Sequence, residues 1–326
     1  MANVTDVKRG VNPRIKRFFT SQNFILFLTI VVIAIGVSFG TDKLLTEKNI
    51  INLFLTVSIT GIMALGAALV IISGNIDLSV GTMVSFIACL TAFLLKENVL
   101  NDITALFFGI LLGLVCGTIN GILVSRTKAE SFIVTLATMS IFQGASLLAA
   151  NGNVVSITGK FDFFGGYKLF NWLPIPILIL FLLAILMYCI MRFTKFGRRV
   201  YAAGGNSEAA FLAGVNVKNY KLSVYMINGV ICSLSAMLVL SRLSAANPNM
   251  AVGYELEAIA ACVIGGISLA GGRGTIAGCF MGIILMGLIS NSLNLLMVPI
   301  FYHKIIIGIV ILVAVLARTS DKSANA

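Results

Sequence analysis

The chain has 326 residues, of which 59% are hydrophobic and only 11% charged, with a mean hydropathy of +1.03. Soluble domains carry about a quarter charged residues, so this composition excludes a water-soluble fold. The formal net charge of +11 has a membrane explanation, because Lys and Arg collect on the cytoplasmic side of polytopic proteins; a nucleic-acid partner is not implied.

Ten apolar segments are long enough to cross a bilayer. They are predicted at about 24–40, 50–72, 78–95, 104–124, 131–150, 172–191, 222–243, 255–270, 274–296 and 303–317. The tail ahead of them holds Lys8, Arg9, Arg14, Lys16 and Arg17, which sets the N-terminus in the cytoplasm. Val37-Ser38-Phe39-Gly40 offers no A-x-A cleavage site, so the first segment reads as a retained span. Alternating from there places 16 Lys and Arg inside and 7 outside, the asymmetry expected of a correct span count. The predicted fold is therefore all-α: one transmembrane domain over 1–326 with about ten helices and both termini cytoplasmic. In it, 1–23 and 318–326 are tails, 24–191 carries six spans, 192–221 is a cytoplasmic loop, and 222–317 carries four.

In the outer connection 151–171, Gly152, Gly159, Gly165 and Gly166 with the adjoining Trp172 predict an interfacial loop with an aromatic anchor. Two junctions between spans are built alike. Ile72-Ser73-Gly74-Asn75-Ile76-Asp77-Leu78-Ser79-Val80-Gly81 resembles Ile264-Gly265-Gly266-Ile267-Ser268-Leu269-Ala270-Gly271-Gly272, about 191 residues on. Glycine-interrupted helices at corresponding places predict two internal half-repeats around a central transport site; ordinary tight turns are the alternative. The six cysteines all fall in apolar stretches, with no CxxC and no neighbouring His, and read as inert core thiols. His303, beside Tyr302 at the outer end of the last span, reads as an amphipathic anchor.

No P-loop, HExxH, GxSxG or dinucleotide fingerprint occurs, so neither ATP binding nor catalysis is predicted for this chain. Ionisable residues are scarce within the spans. Asp77 is expected at a junction, either capping the third span or serving a gate, and Glu255 and Glu257 are expected in the first turn of the eighth. Uncharged hydrogen-bonding residues are more numerous: Asn120, Gln143, Asn228, Ser233, Ser235, Asn291, Ser292 and Asn294. Such groups suit a neutral, hydroxyl-rich solute, although they also serve as bonds between helices.

Within the cytoplasmic loop, Gly204-Gly205-Asn206-Ser207-Glu208-Ala209-Ala210-Phe211-Leu212-Ala213-Gly214 predicts a short helix. Asn206 or Ser207 is its N-cap, Glu208 suits its first turn, and Gly214 ends it. A helix on an otherwise bare face suits docking to another protein. Glu208-Ala209-Ala210-xxx-Gly214 is also similar to the EAAxxxG motif of ABC-importer permeases. The likeness then runs along nearly the whole chain. Gly74-x-Ile76-Asp77-Leu78-Ser79-Val80-Gly81 resembles a GGIDLSVG block, with Asn75 in place of Gly. Arg242-Leu243-Ser244-Ala245, Gly253 to Ala260, Gly265 to Gly272 and Ser292 to Leu296 follow in the order seen in permeases of the ribose/galactose (simple-sugar) class. The Leu-Pro that closes the EAA motif in other importer classes is absent.

The resemblance implies the permease subunit of a binding-protein-dependent sugar importer, for ribose or a related monosaccharide, in a bacterial inner membrane. It implies a second permease subunit, foremost a second copy of this chain in a homodimer, cytoplasmic ATPase subunits that hold ATP and Mg, and an extracytoplasmic sugar-binding protein, with no cofactor on this chain. The implied site residues are Asn206, Ser207, Glu208, Ala209, Ala210 and Gly214 for ATPase coupling. Asp77, Ser79, Gln143, Asn291 and Asn294 are assigned to the path or gate, and Arg242, Glu255 and Glu257 to binding-protein docking. An ion-coupled sugar carrier remains the alternative, weakened by the shortage of deep carboxylates; an intramembrane enzyme ranks third.

Overall fold

The computed structural model describes residues 22–170 and 172–323; the basic N-terminal tail and the last residues of the C-terminal tail lie outside them. Thirteen helices and four two-residue strands are found among the described residues. In chain order they are α1 (Gln22–Ser38), α2 (Glu47–Ile72), α3 (Val80–Lys96), α4 (Asp102–Arg126), α5 (Ser131–Ala149), β1 (Val155–Ser156), α6 (Asp162–Gly165), β2 (Lys168–Leu169) and β3 (Leu173–Pro174). Then come α7 (Ile175–Phe193), α8 (Lys195–Gly205), α9 (Ser207–Leu212), α10 (Val217–Leu243), β4 (Ala245–Ala246), α11 (Tyr254–Ile264), α12 (Ile276–Leu295) and α13 (Ile300–Ser323).

Six helices, α2, α4, α5, α7, α10 and α12, have 19 to 27 residues and are apolar enough to cross a membrane. Helix α2 is the central one; from Val57 to Ile72 all but Thr60 are buried. Large apolar side chains instead face outward on α1, α4, α5 and α7, as at Ile25, Leu111, Ile133 and Ile185. An exposed apolar surface that extensive is stable only against lipid.

One seam shows why the bundle packs as it does. Gly109, Gly113, Gly117 and Gly121 recur every four residues and form a single stripe on α4. A Cβ on Gly113 would lie 2.4 Å from the Gly229 carbonyl oxygen of α10, and one on Gly117 would lie 2.4 Å from the Tyr225 carbonyl oxygen. Lipid tails are as apolar as Leu, so helices in a bilayer associate through this kind of close backbone contact.

One expected span is corrected. Helix α11 has 11 residues, about 16 Å of rise, against a hydrocarbon core of about 30 Å. Residues 265–275, expected as the end of one span and the start of the next, are irregular. Helix α3 begins at Val80 and not at Leu78. The outer connection is also more structured than an anchored loop: β1 pairs antiparallel with β4, Val155 opposite Ala246. Phe161, left-handed at φ 61°, is fully buried, and the Ser241 hydroxyl donates to its carbonyl and accepts from Gly165 N–H at 2.7 Å. Lys160 Nζ donates to Leu95 O at 2.7 Å, fastening this cap to the end of α3. Trp172 is exposed, as an anchor requires.

Candidate functional site: two helix breaks and the helix between them

Helices α2 and α11 end in the same way. Beyond α2, Ser73, Gly74 and Asn75 N–H groups donate to Leu69, Ile71 and Val70 carbonyls. Beyond α11, Gly265, Gly266 and Ile267 N–H groups donate to Ala261, Val263 and Cys262 carbonyls. The pivot is a left-handed glycine in both, Gly74 at φ 80° and Gly266 at φ 99°, which satisfies the last helical carbonyls while reversing the chain.

The first break then runs irregularly from Asn75 to Ser79, and its backbone must find partners inside the bundle. Side chains provide them. Ile76 N–H donates to Ser131 Oγ at 3.0 Å and Leu78 N–H to Thr135 Oγ1 at 3.1 Å. Tyr225 Oη and Thr135 Oγ1 each donate to Ile76 O at 3.2 Å. Asp77 Oδ1 accepts from Ser79 N–H at 2.9 Å and from Ser79 Oγ at 2.6 Å, while Asn228 Nδ2 donates to Oδ2 at 3.0 Å. Asn120 Nδ2 donates to Ser79 Oγ at 2.7 Å. Its Oδ1 is buried and has no hydrogen-bond partner among the described residues.

Asp77 therefore does not cap α3; Ser79 is the N-cap residue and makes no side-chain cap bond. Nor is Asp77 shallow. Its partner Asn228 stands 11 residues inside α10, about 16 Å along the helix. Glu255 is deep as well: it is 4% exposed, bonds Gly253 N–H at 3.0 Å, and a Cβ on Gly81 would lie 2.2 Å from its Oε2. That burial leaves Glu255 no surface for a docking protein in this conformation. The scarcity of deep carboxylates thus no longer weighs against ion coupling.

The second break folds back on the first. Gly272 N–H donates to Ile72 O at 2.9 Å. Between them sits Gly204, near the end of α8, where a Cβ would lie 1.9 Å from Ile72 O and 2.9 Å from Gly272 N; only glycine fits so close an approach. Tyr201 Oη of α8 donates to Gly274 O at 2.9 Å. Helix α9 follows at once. Asn206 is its cap, Oδ1 accepting from Ala209 N–H at 2.9 Å, and Gly214, at φ 81°, lies just past its end, as expected. Ala210 packs inward, whereas Ser207, Glu208, Ala209, Phe211 and Leu212 are exposed. Beside α9 a groove of about 840 Å³ runs past Ser125, Lys218 and Lys221.

The remaining expected residues scatter. Gln143 Nε2 donates to Asn249 Oδ1 at 2.7 Å and to Pro248 O at 3.3 Å, tying α5 to the segment before α11. Asn291 exchanges side-chain hydrogen bonds with Asn49 at 2.9 and 3.0 Å, so it joins α12 to α2 and is not free to meet a solute. Asn294 is exposed. Arg242 is exposed at the end of α10, with Nη1 donating to Leu55 O at 3.3 Å. Five cysteines are buried, but Cys189 faces outward on α7, which corrects its assignment to the core.

The family model described as "Branched-chain amino acid transport system / permease component" matches residues 49–315. The chain belongs to that family. It is 40% identical over 294 residues, 89% of this chain and 90% of the relative, to the ribose import permease protein RbsC of Bacillus subtilis. The ribose import permease protein RbsC of Escherichia coli K12 is 36% identical over 309 residues, 92% of this chain and 96% of its own. The D-allose transport system permease protein AlsC of the same organism is 35% identical over 291 residues, covering 89% of each. No solved structure matches the chain. With its apolar helices, the family membership makes this a multi-pass membrane protein and a permease component.

Proposed function

We propose that the chain is the membrane subunit of a binding-protein-dependent ABC importer of a simple sugar, ribose or a closely related monosaccharide. The family description names amino acids, but the relatives above are ribose and allose permeases at 35–40% identity over most of the chain. In this reading the subunit pairs with a second permease, lies in a bacterial inner membrane and makes ten crossings with both ends inside. The crossings at α3 and α11 are broken helices in two corresponding half-repeats. ATP and Mg are held by partner ATPases, and a sugar-binding protein delivers from outside.

The observation that carries this reading is the contact of Gly204 with Ile72 and Gly272. Helix α9, exposed at Glu208, Phe211 and Leu212, has the surface an ATPase cleft would grip. Three residues before its first residue, at Gly204, the chain touches both helix breaks, so a push on α9 reaches them through Gly205 and the cap Asn206 alone. Asp77 and Ser79 fix the first break and form the gate; Arg242, exposed at the far end of α10, is the docking residue for the binding protein.

Deep Asp77 and Glu255 keep an ion-coupled carrier as the second reading, although both oxygens of Asp77 accept hydrogen bonds from protein donors. Reconstitution separates the two. The permease with its ATPase and binding protein should accumulate ribose with ATP and ignore collapse of ion gradients. Accumulation by the lone chain under a pH or Na⁺ gradient would reverse the assignment.

A further inference from the structure

A second cavity, of about 190 Å³, lies between α2, α10, α11 and α12, bordered by Thr56, Thr60, Arg242, Tyr254, Glu257 and Ser290. It sits in the half of the bundle away from α9, since Thr60 precedes Ile72 by 12 residues of α2, about 18 Å of helix. Its volume is below the roughly 300–1,000 Å³ of drug-sized sites, so it suits a ligand no larger than a single small ring.

The chemistry of the lining is unusual for a membrane bundle. The side chains of Thr60, Tyr254, Glu257 and Ser290 make no hydrogen bond to any described residue, whereas most other polar side chains of the bundle are bonded. Arg242 spends one N–H on Leu55 O at 3.3 Å and keeps the others. Thr60, Tyr254, Glu257 and Ser290 are only half-buried and Arg242 is exposed, so these unbonded groups line an opening where a polar guest can replace water as their hydrogen-bond partner. Glu257 lines the cavity with Arg242 and also feels the Lys304 ammonium of α13, so a guest need bring no cation to balance the carboxylate. A carboxylate accepts from hydroxyls, a guanidinium donates to them, three further hydroxyls do either, and Tyr254 offers a ring against the apolar face of a sugar.

We propose that this cavity is a monosaccharide-binding site on the permease itself, contacted by the sugar after its release from the binding protein. The proposal rests on the importer reading above, under which this half faces outside. It gives the membrane subunit a share in sugar selection and makes Glu257 a sugar contact instead of a docking residue, with Arg242 meeting first the binding protein and then the sugar.

The test is the ratio of ribose carried to ATP hydrolysed, measured in liposomes with the full complex at saturating ribose-loaded binding protein. Glu257→Gln should lower the ratio about tenfold, the loss of one charge-assisted hydrogen bond. Thr60→Val combined with Ser290→Ala should lower it too, and Thr60→Ser, which keeps the hydroxyl, should restore the Thr60 share. A ratio unchanged in these variants would overturn the proposal. So would parallel loss of uptake and hydrolysis with the ratio intact, since that marks docking. A wild-type complex that hydrolyses ATP without moving ribose, allose or xylose would overturn the importer reading itself, and the cavity's role with it.

Discussion

The two helix breaks share one cap and differ in everything that follows it. After Gly74 the chain is held by side chains of three other helices: Ser131 and Thr135 on α5, Asn120 on α4, Tyr225 and Asn228 on α10. After Gly266 the chain is held by its own turn, Ser268 N–H donating to Arg273 O at 3.0 Å, by Gly272 on Ile72, and by Tyr201 of α8. The first break is wired into the bundle, and the second into the first and into α8. The shared cap sets only the direction of the chain; the polar residues decide which neighbours each break moves with.

Removing the wiring of the first break should have the largest effect. Asp77→Ala strands the Ser79 N–H, the Ser79 hydroxyl and the Asn228 amide, each bonded to the carboxylate now. At about 1–3 kcal/mol for each buried unpaired group, the loss should exceed 3 kcal/mol and show as a fall in thermal unfolding temperature in detergent. Asp77→Asn keeps one acceptor oxygen and should lose less. If Asp77→Ala melted like wild type, the break would be held by backbone alone.

Gly204→Ala comes next. Its new methyl must displace Ile72 O, which would be 1.9 Å away, at about 1–3 kcal/mol for overpacking. The expected signature is more specific than lost stability: ATPase stimulation by ribose-loaded binding protein should fall further than the yield of folded protein. Glu208→Lys should reduce that stimulation without changing yield, since Glu208 is exposed; its local cost at the helix start is only about 0.3–1 kcal/mol. Tyr201→Phe removes one hydrogen bond to the second break, about 1 kcal/mol, and should leave ATPase stimulation nearly unchanged. It should lower the melting temperature slightly while leaving the first break as it is.

The apolar segments were legible because length and hydropathy are local properties, and nine of the ten predicted ranges coincide with a helix to within a few residues; the exception, 255–270, overruns α11. The capped helix α9 was legible for the same reason, Asn206 and Gly214 being local signals. What escaped was long-range. Whether Asp77 stands at the surface or deep depends on residues 75–79 continuing inward and not turning, and that is decided by Asn120 and Asn228 far along the chain. Asn291 announces a polar position but not that Asn49 occupies it. Pairing of Val155 with Ala246 leaves no trace in either segment. The α4 stripe of glycines every four residues was readable, and could have predicted the α4–α10 seam.

The central claim is that α9 and the two breaks move as one piece. Spin labels at Phe211 and Leu269, both exposed, would report it in the reconstituted complex, with Cys189 replaced because it alone among the six cysteines faces outward. The account predicts that the Phe211–Leu269 distance within one chain stays the same with and without ATP, while the Phe211–Phe211 distance between paired permeases changes. A Phe211–Leu269 distance that shifts on ATP binding would contradict it.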